Sequence, residues 1–371
     1  MEGSIGKINL LGTGGGYGES LVIHIGDNEW IVVDSCIDPY TKKSLPLKYL
    51  QDNSIDLNCV KLIICTHWHD DHIMGLSDLL SMCPKALFSF ARPNDSKKFL
   101  QLVCLDYKKS KLSVSNSSTV EFSNCLKILK ERKERNDQHA IKYPSLDKLL
   151  YYKKFEDIEI EVYSLSPSEL SHQLYDMEIS KLITDFGPTH MKIIKQSPND
   201  RSVVLLLKLG YHIILLGADL EVNNNPKLGW LDITSNSEII KKLDKSGYFK
   251  IPHHGSENGY HIEIWDKLIK DSPISTITPW NLGTGLPTEL MLKRYNHLSQ
   301  ELYMSSEGKL HPKPKKRDQK ITKTIKAFNN SLKEIKYQFG VVSSTIDLKN
   351  KNSKWLTTCT GAACDSKVIL K

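Results

Sequence analysis

Three histidines and two aspartates crowd into the six positions 67–72, within Thr66-His67-Trp68-His69-Asp70-Asp71-His72-Ile73-Met74-Gly75. His67, His69, Asp71 and His72 follow the pattern H-x-H-x-D-H. Two histidines two apart in a tight loop send their rings to one side, where neutral imidazoles suit zinc and similar cations. Asp71 and His72, turned the other way, can serve a second cation a few ångströms off. The plainer reading is a polar loop rich in histidine, and it weakens once matching residues are found far along the chain.

A two-metal site needs further ligands, ideally at the ends of other strands. Asp219 follows the buried-strand run "HIILLGA", where a carboxylate is costly unless a cation or a partner compensates it. His253 and His254 close "YFKIP" before a Gly-Ser turn, and Asp34 follows "EWIVV". Each alone reads as a capping or packed polar residue; converging with H-x-H-x-D-H, they read as one site.

The elements that must position these residues are legible as runs. "VKLIIC" is a buried strand, and Ile73, Leu76, Leu79 and Leu80 have helical spacing, so the cluster lies in a loop between strand and helix. "GKINLLG", "ESLVIHIG" and "NEWIVVDS" read as a β-meander. Gly12-Thr13-Gly14-Gly15-Gly16 reads as a turn, since Tyr17 stands where a dinucleotide-binding G-x-G-x-x-G needs glycine and no helix follows. Residues 93–155 turn polar and Lys-rich and are expected to form a helical insertion within a single domain, 1–371. Strand character returns in "IEIEVYSLSPS", "SVVLLLKLG", "HIILLGADLE", "YFKIPHHGS" and "ISTITPW". Residues 335–371 read as C-terminal strands that close the domain.

With 371 residues, 40% hydrophobic and 25% charged, the chain can bury a sizeable core, which excludes disorder throughout. No secretory signal and no run near about eighteen apolar residues is seen, so the expectation is a cytoplasmic protein without a membrane partner. Eight cysteines without a C-x-x-C pair read as reduced thiols rather than a disulfide frame or zinc ribbon. The net charge of +7 mildly favours a polyanionic partner. "KILKERKER" alternates sign and reads as a solvated helix face. The basic segment 309–330, with Lys313, Lys315, Lys316 and Arg317, is either a phosphate-tracking stretch or a solvated loop.

Taken together, "GTGGGYGESLVIHI", "WIVVDS", "CTHWHDDHIMG", "NDRSVVLLLKLGYHIILLGADLE", "KIPHHGSENG" and, more loosely, "LGTGLPTELMLKRY" resemble the metallo-β-lactamase-fold hydrolases. Within these, the chain is most similar to the hydrolase domain of the DNA-uptake channel protein ComEC and its standalone relatives. The resemblance implies an α/β fold, a four-layer αββα sandwich with the helical insertion and with the site at the edge of its two sheets. It implies that His67 and His69 bind one divalent cation, that Asp71 and His72 bind a second, and that Asp219 bridges them. One of His253 or His254 would complete the second set, with His253 preferred, and Asp34 would buttress the loop through hydrogen bonds. The family's third histidine for the first cation has no counterpart before "SVVLLLK"; Asn199, Asp200 or His190 are the candidates to replace it. Gly285-Leu286-Pro287 stands where the subgroup often has Gly-His-Pro, so a phosphate-facing histidine is missing.

The expected cofactors are two divalent ions, Zn²⁺ first and Mn²⁺ second, which lower the pKa of a shared water from roughly 16 toward about 7. Asp71 and His254 are the catalytic candidates, the histidine that is not a ligand being placed either to protonate a leaving oxygen or to make a structural hydrogen bond. The expected function is a phosphodiesterase or nuclease acting on nucleic acid or nucleotides. Two alternatives stand beside it: hydrolysis of a lactone, thioester or amide, and a subunit that docks a protein partner through the insertion, for example in phage defence, with a structural or regulatory metal site.

Overall fold

The computed structural model describes residues 2–13, 18–38, 41–91, 118–184, 199–281, 285–308 and 339–370, together with Lys320, Lys323, Thr324 and Ala327. Positions 14–17, His190, Lys313, Lys315, Lys316 and Arg317 lie outside these.

Two eight-stranded sheets carry the described fold. The first is laid down by β1 (Ile5–Gly12), β2 (Glu19–His24), β3 (Trp30–Val33), β4 (Val60–Cys65), β5 (Leu87–Phe90) and β6 (Ile141–Lys142). The second follows as β7 (Lys148–Phe155), β8 (Ile158–Ser164), β9 (Leu205–Leu209), β10 (His212–Leu216), β11 (Ser246–Lys250), β12 (Ile269–Ile277) and β13 (Glu301–Met304). The chain then returns, adding β14 (Gly340–Asp347) to the free edge of β1, β15 (Leu356–Gly361) beside β14, and β16 (Cys364–Asp365) beside β13. β1 to β3 form the antiparallel meander, and β3 to β6 run parallel. In the second sheet β7 to β10 are antiparallel and β10 to β13 parallel.

Period-two alternation explains the layers. In β4, Leu62 and Ile64 enter the core between the sheets, while Ile63 and Cys65 face the helices, which is why "VKLIIC" is apolar almost throughout. Helices Leu45–Asp52, Leu76–Met82 and Ser118–Glu134 cover the first sheet; Gly229–Asn236, Ile262–Leu268 and Glu289–Leu298 cover the second. The outcome is the expected αββα sandwich, with one core between the sheets and one under each helical layer. Among the described residues no helix is long and apolar enough to cross a membrane.

The stretch 93–155 differs from the helical expectation. Residues 92–117 lie outside the described part, and Ser118–Glu134 is helical, with Phe122, Cys125 and Leu129 buried against the first sheet and Trp68 stacked on Phe122 at 4.5 Å. Lys148–Phe155, however, is β7, the edge of the second sheet. Its lysines read as a helix surface in the sequence, whereas charges of this kind blunt a sheet edge against further pairing. Lys153 reaches Asp27 at 2.7 Å and Glu29 at 2.8 Å in the turn of the first sheet.

Candidate metal centre

Asp34, the H-x-H-x-D-H residues, Asp219 and the His253-His254 pair sit at carboxyl ends of strands in the parallel parts of the sheets, where α/β sheets open a crevice for ligands. Asp34 follows β3, the H-x-H-x-D-H stretch follows β4, Asp219 follows β10, and His253 and His254 follow β11. Four non-glycine residues here adopt left-handed backbone: Asp34 (φ 59), Ala218 (φ 45), His253 (φ 46) and His254 (φ 53). Such strain concentrates where side chains must be aimed rather than merely packed.

Asp34 sets the proton positions. Its carboxylate accepts from Thr66 N at 2.7 Å, Thr66 Oγ1 at 2.6 Å and His72 Nδ1 at 2.7 Å. His72 therefore carries its proton on Nδ1 and turns a lone pair outward from Nε2. Because Thr66 Oγ1 donates to Asp34, it accepts from His67 Nδ1 at 3.0 Å, which leaves His67 Nε2 with a lone pair as well. His254 Nδ1 donates to Thr278 O at 2.9 Å and likewise presents Nε2.

These three nitrogens converge on Asp219. Its Oδ2 lies 3.7 Å from His67 Nε2, 3.4 Å from His72 Nε2 and 3.5 Å from His254 Nε2. Asp71 Oδ2 lies 3.5 Å from His72 Nε2 and 3.3 Å from His254 Nε2, and His69 Nδ1 is 3.1 Å from His67 Nε2. Two donor sets result that share Asp219: His67, His69 and Asp219, and Asp71, His72, Asp219 and His254, the atoms of each within 4.8 Å of one another. The proximity of Asp34 to His67 and His72 is explained by the hydrogen bonds just described. His72 Nε2 and Asp219 Oδ1 are buried without a hydrogen-bond partner, a state that a cation would relieve. The donor chemistry, imidazole with carboxylate, fits divalent cations.

Burial raises the Asp34 pKa above the ordinary carboxylate value. Burial pushes His67 well below and His69 below the usual imidazole value, so both are neutral and ready as ligands. Burial alone would lower His72 and His254, but the Asp219 and Asp71 carboxylates, with Asp34 at His72, raise His72 well above and His254 above the usual value. Against burial, the positive charges of His72 and His254 in turn hold Asp71 and Asp219 below the usual carboxylate range. Without a cation, His72 and His254 thus take up protons that an incoming cation displaces. The expected result is apparent affinity that rises with pH through and above about 6.5. Calorimetric titration in buffers of different ionisation enthalpy reads the released protons; pH-independent binding without release would contradict it.

The structure differs from the preference for His253. The ring of His254 enters the cluster, and His253 turns away: its Nε2 accepts from Asn199 Nδ2 at 2.9 Å and its Nδ1 lies 2.9 Å from Asn258 Oδ1 and from Ser256 Oγ. Two successive left-handed residues reverse which ring faces inward. Asn199 Nδ2 also donates to Glu221 Oε1 at 2.8 Å, leaving Oδ1 buried without a partner. Asp200 shares the Asn199–Arg201 turn, and the Gly285 to Pro287 segment bridges to Trp280 through Leu286.

Sequence reasoning missed five participants. Thr66 relays Asp34 to His67, Trp280 lies against His254 at 5.3 Å between ring centroids, Glu221 holds Asn199, and Glu19 forms a buried ion pair with Lys250. A signal existed for the lysine of the last pair, since Lys250 interrupts the apolar run "YFKIP".

A two-sheet sandwich with a His/Asp cluster at parallel strand ends defines the class: the chain has the metallo-β-lactamase fold. The model of the family described as the Metallo-beta-lactamase superfamily matches residues 13–91, the stretch that contains Asp34 and H-x-H-x-D-H. No curated protein matches the chain. Similar solved structures include human tRNase Z, short form, at 12% identity over 79% of this chain and 89% of that one (TM-score 0.36). Others are the metallo-beta-lactamase fold protein YhfI from Bacillus subtilis, at 11% identity over 67% and 70% (TM-score 0.31), and the dizinc quorum-quenching lactonase AidC, at 15% over 54% and 55% (TM-score 0.30).

Proposed function

We propose that the chain is a metal-dependent hydrolase that cleaves phosphodiester bonds in nucleic acid or nucleotides. The observation that carries the reading is the pair of donor sets sharing Asp219, with His67, His72 and His254 all presenting Nε2 to it. In this reading His67, His69 and Asp219, joined by Asn199 Oδ1, hold one cation, and Asp71, His72, Asp219 and His254 hold the other. Zn²⁺ is the first choice and Mn²⁺ the second, since imidazole and carboxylate suit both. Cations so held supply Lewis acidity toward a phosphoryl oxygen and a water acidified toward neutral pH.

The residues' own work is orientation. Asp34 and Thr66 fix the tautomers of His72 and His67, and Thr278 O fixes that of His254. With its two ring nitrogens engaged by Asn199, Asn258 and Ser256, His253 orients Asn199 rather than protonating a leaving oxygen. His254, a ligand in this reading, has no free proton to give on the side that faces the cluster.

The support for a polyanionic substrate is the charge of +7, the basic segment 309–330 and the ComEC-like sequence resemblance. The test incubates purified protein, loaded with Zn²⁺ or Mn²⁺, with DNA, RNA, cyclic nucleotides and neutral acyl substrates, using His69→Ala as the negative control. Phosphodiester cleavage that the variant loses, with substrate affinity falling steeply as salt rises, is the expected result. Turnover of a lactone or thioester with little salt dependence would favour the acyl hydrolase. A stable co-purifying protein on a chain that takes up no metal and hydrolyses nothing would favour the partner-docking subunit.

A further inference from the structure

Lys250 ends β11 and is fully buried, at 0% exposed. Its ammonium donates to Ala218 O at 3.1 Å and pairs with Glu19 Oε1; Glu19, 1% exposed, opens β2 in the opposite sheet. A lysine is almost never fully buried without such a partner, and an apolar pair of similar volume often serves stability as well or better. The pair's neighbours suggest what else it does.

On the lysine side, Ala218 is the left-handed residue directly before Asp219, and its carbonyl also accepts from His253 N at 3.0 Å. Gly217 N donates to Lys250 O at 3.0 Å, and a Cβ on Gly217 would lie 2.9 Å from that same oxygen. On the glutamate side, Gly18 adopts φ 140, and a Cβ there would lie 2.6 Å from Asp71 O. One ion pair therefore ties the peptide that aims Asp219, from the second sheet, to the backbone packed behind Asp71, from the first.

We propose that the Lys250–Glu19 pair is a positioning strut for the metal centre: it holds Ala218 in its left-handed conformation and sets the spacing of Asp219 and Asp71. The proposal rests on the reading of the His/Asp cluster as a cation site, and neither residue touches the reacting atoms. A simple tie between the sheets would stabilise the fold equally but would leave the ligand set unaffected once the fold is restored by other means.

The experiment compares wild type with Lys250→Met, Glu19→Gln and the double variant, reading thermal midpoint and Zn²⁺ affinity by competition with a chromophoric chelator. Lys250→Met leaves the Glu19 charge buried and unpaired, so its midpoint is expected to fall furthest. The double variant replaces the pair by neutral groups of similar shape and is expected to regain much of that loss. Its Zn²⁺ affinity is nonetheless expected to stay about tenfold or more below wild type, the size of effect that outer residues around metal ligands exert. A folded double variant that binds Zn²⁺ as tightly as wild type overturns the proposal. If neither Met-containing variant folds, Glu19→Gln decides, because it removes the charge that makes the ion pair while leaving a neutral acceptor that lets the chain fold: weakened Zn²⁺ binding supports the ion pair as strut, and unchanged binding overturns it. A wild-type protein that takes up no Zn²⁺ removes the cation reading, and the proposal with it.

Discussion

Asp219→Ala is expected to abolish cation uptake on both sides of the centre and to lower hydrolysis by on the order of 10³-fold. The reason is geometric. Asp219 Oδ2 lies 3.4 to 3.7 Å from His67, His72 and His254, and Asp219 is the residue common to the two donor sets. Loss of His69 removes one ring from one set, whereas loss of Asp219 removes a charge from each. The metal-free protein should weaken as well, because Asp219 is the carboxylate that balances the buried His72 and His254. Its folded pKa is depressed, so its contribution to stability is present above the ordinary carboxylate pKa and fades as acid protonates the folded form. At neutral pH the variant should be less stable by about 3 kcal/mol, the scale for breaking a buried charge pair, and the difference should shrink in strong acid. Elemental analysis, phosphodiester turnover and urea unfolding in chelator read the three effects. Two ions retained by the alanine variant would show that Asp219 does not join the donor sets.

The donor sets were legible to different depths for physical reasons. H-x-H-x-D-H is a local pattern whose spacing alone points His67 and His69 together, and the apolar runs before Asp34, Asp219 and the His253-His254 pair mark strand ends. What no local pattern carries is the direction of a turn. His253 and His254 are chain neighbours with φ 46 and 53, and that pair of left-handed residues decides which ring faces Asp219. Lys148–Phe155 was obscured differently, since a lysine-rich amphipathic stretch suits a solvated helix or a guarded sheet edge, and only pairing with β8 selects the strand. The Glu19–Lys250 pair joins strands of different sheets, so neither charge has its partner within its own stretch of sequence.

Asp34→Asn is expected to cost about 100-fold in cation affinity, the upper end for a residue behind the ligands, while leaving the fold intact. Asparagine tolerates the left-handed φ of 59 that Asp34 adopts, so backbone strain is not added. The amide has one orientation open to it. Thr66 N is a fixed donor at 2.7 Å from Asp34 Oδ1, so the asparagine oxygen must take that place and its NH₂ the place of Oδ2. An NH₂ group only donates. His72 Nδ1, now facing a donor, must accept, and its proton moves to Nε2, the atom that faces Asp219 and Asp71. Thr66 Oγ1, also facing that NH₂, must accept too and then donates to His67 Nδ1, which drives the His67 proton onto Nε2 in turn. A single oxygen-to-nitrogen change thus turns two ligands to the wrong tautomer without moving either ring. Asp34→Ala provides the contrast: it removes three hydrogen bonds and the residue type suited to the turn, and should lose about 2–4 kcal/mol of stability before any effect on tautomers is read. Elemental analysis gives the ion content of each variant, and the ¹⁵N shifts of the His67 and His72 ring nitrogens give the tautomers. Full ion content in Asp34→Asn with both protons still on Nδ1 would mean that Asp34 supports the loop without setting its protons.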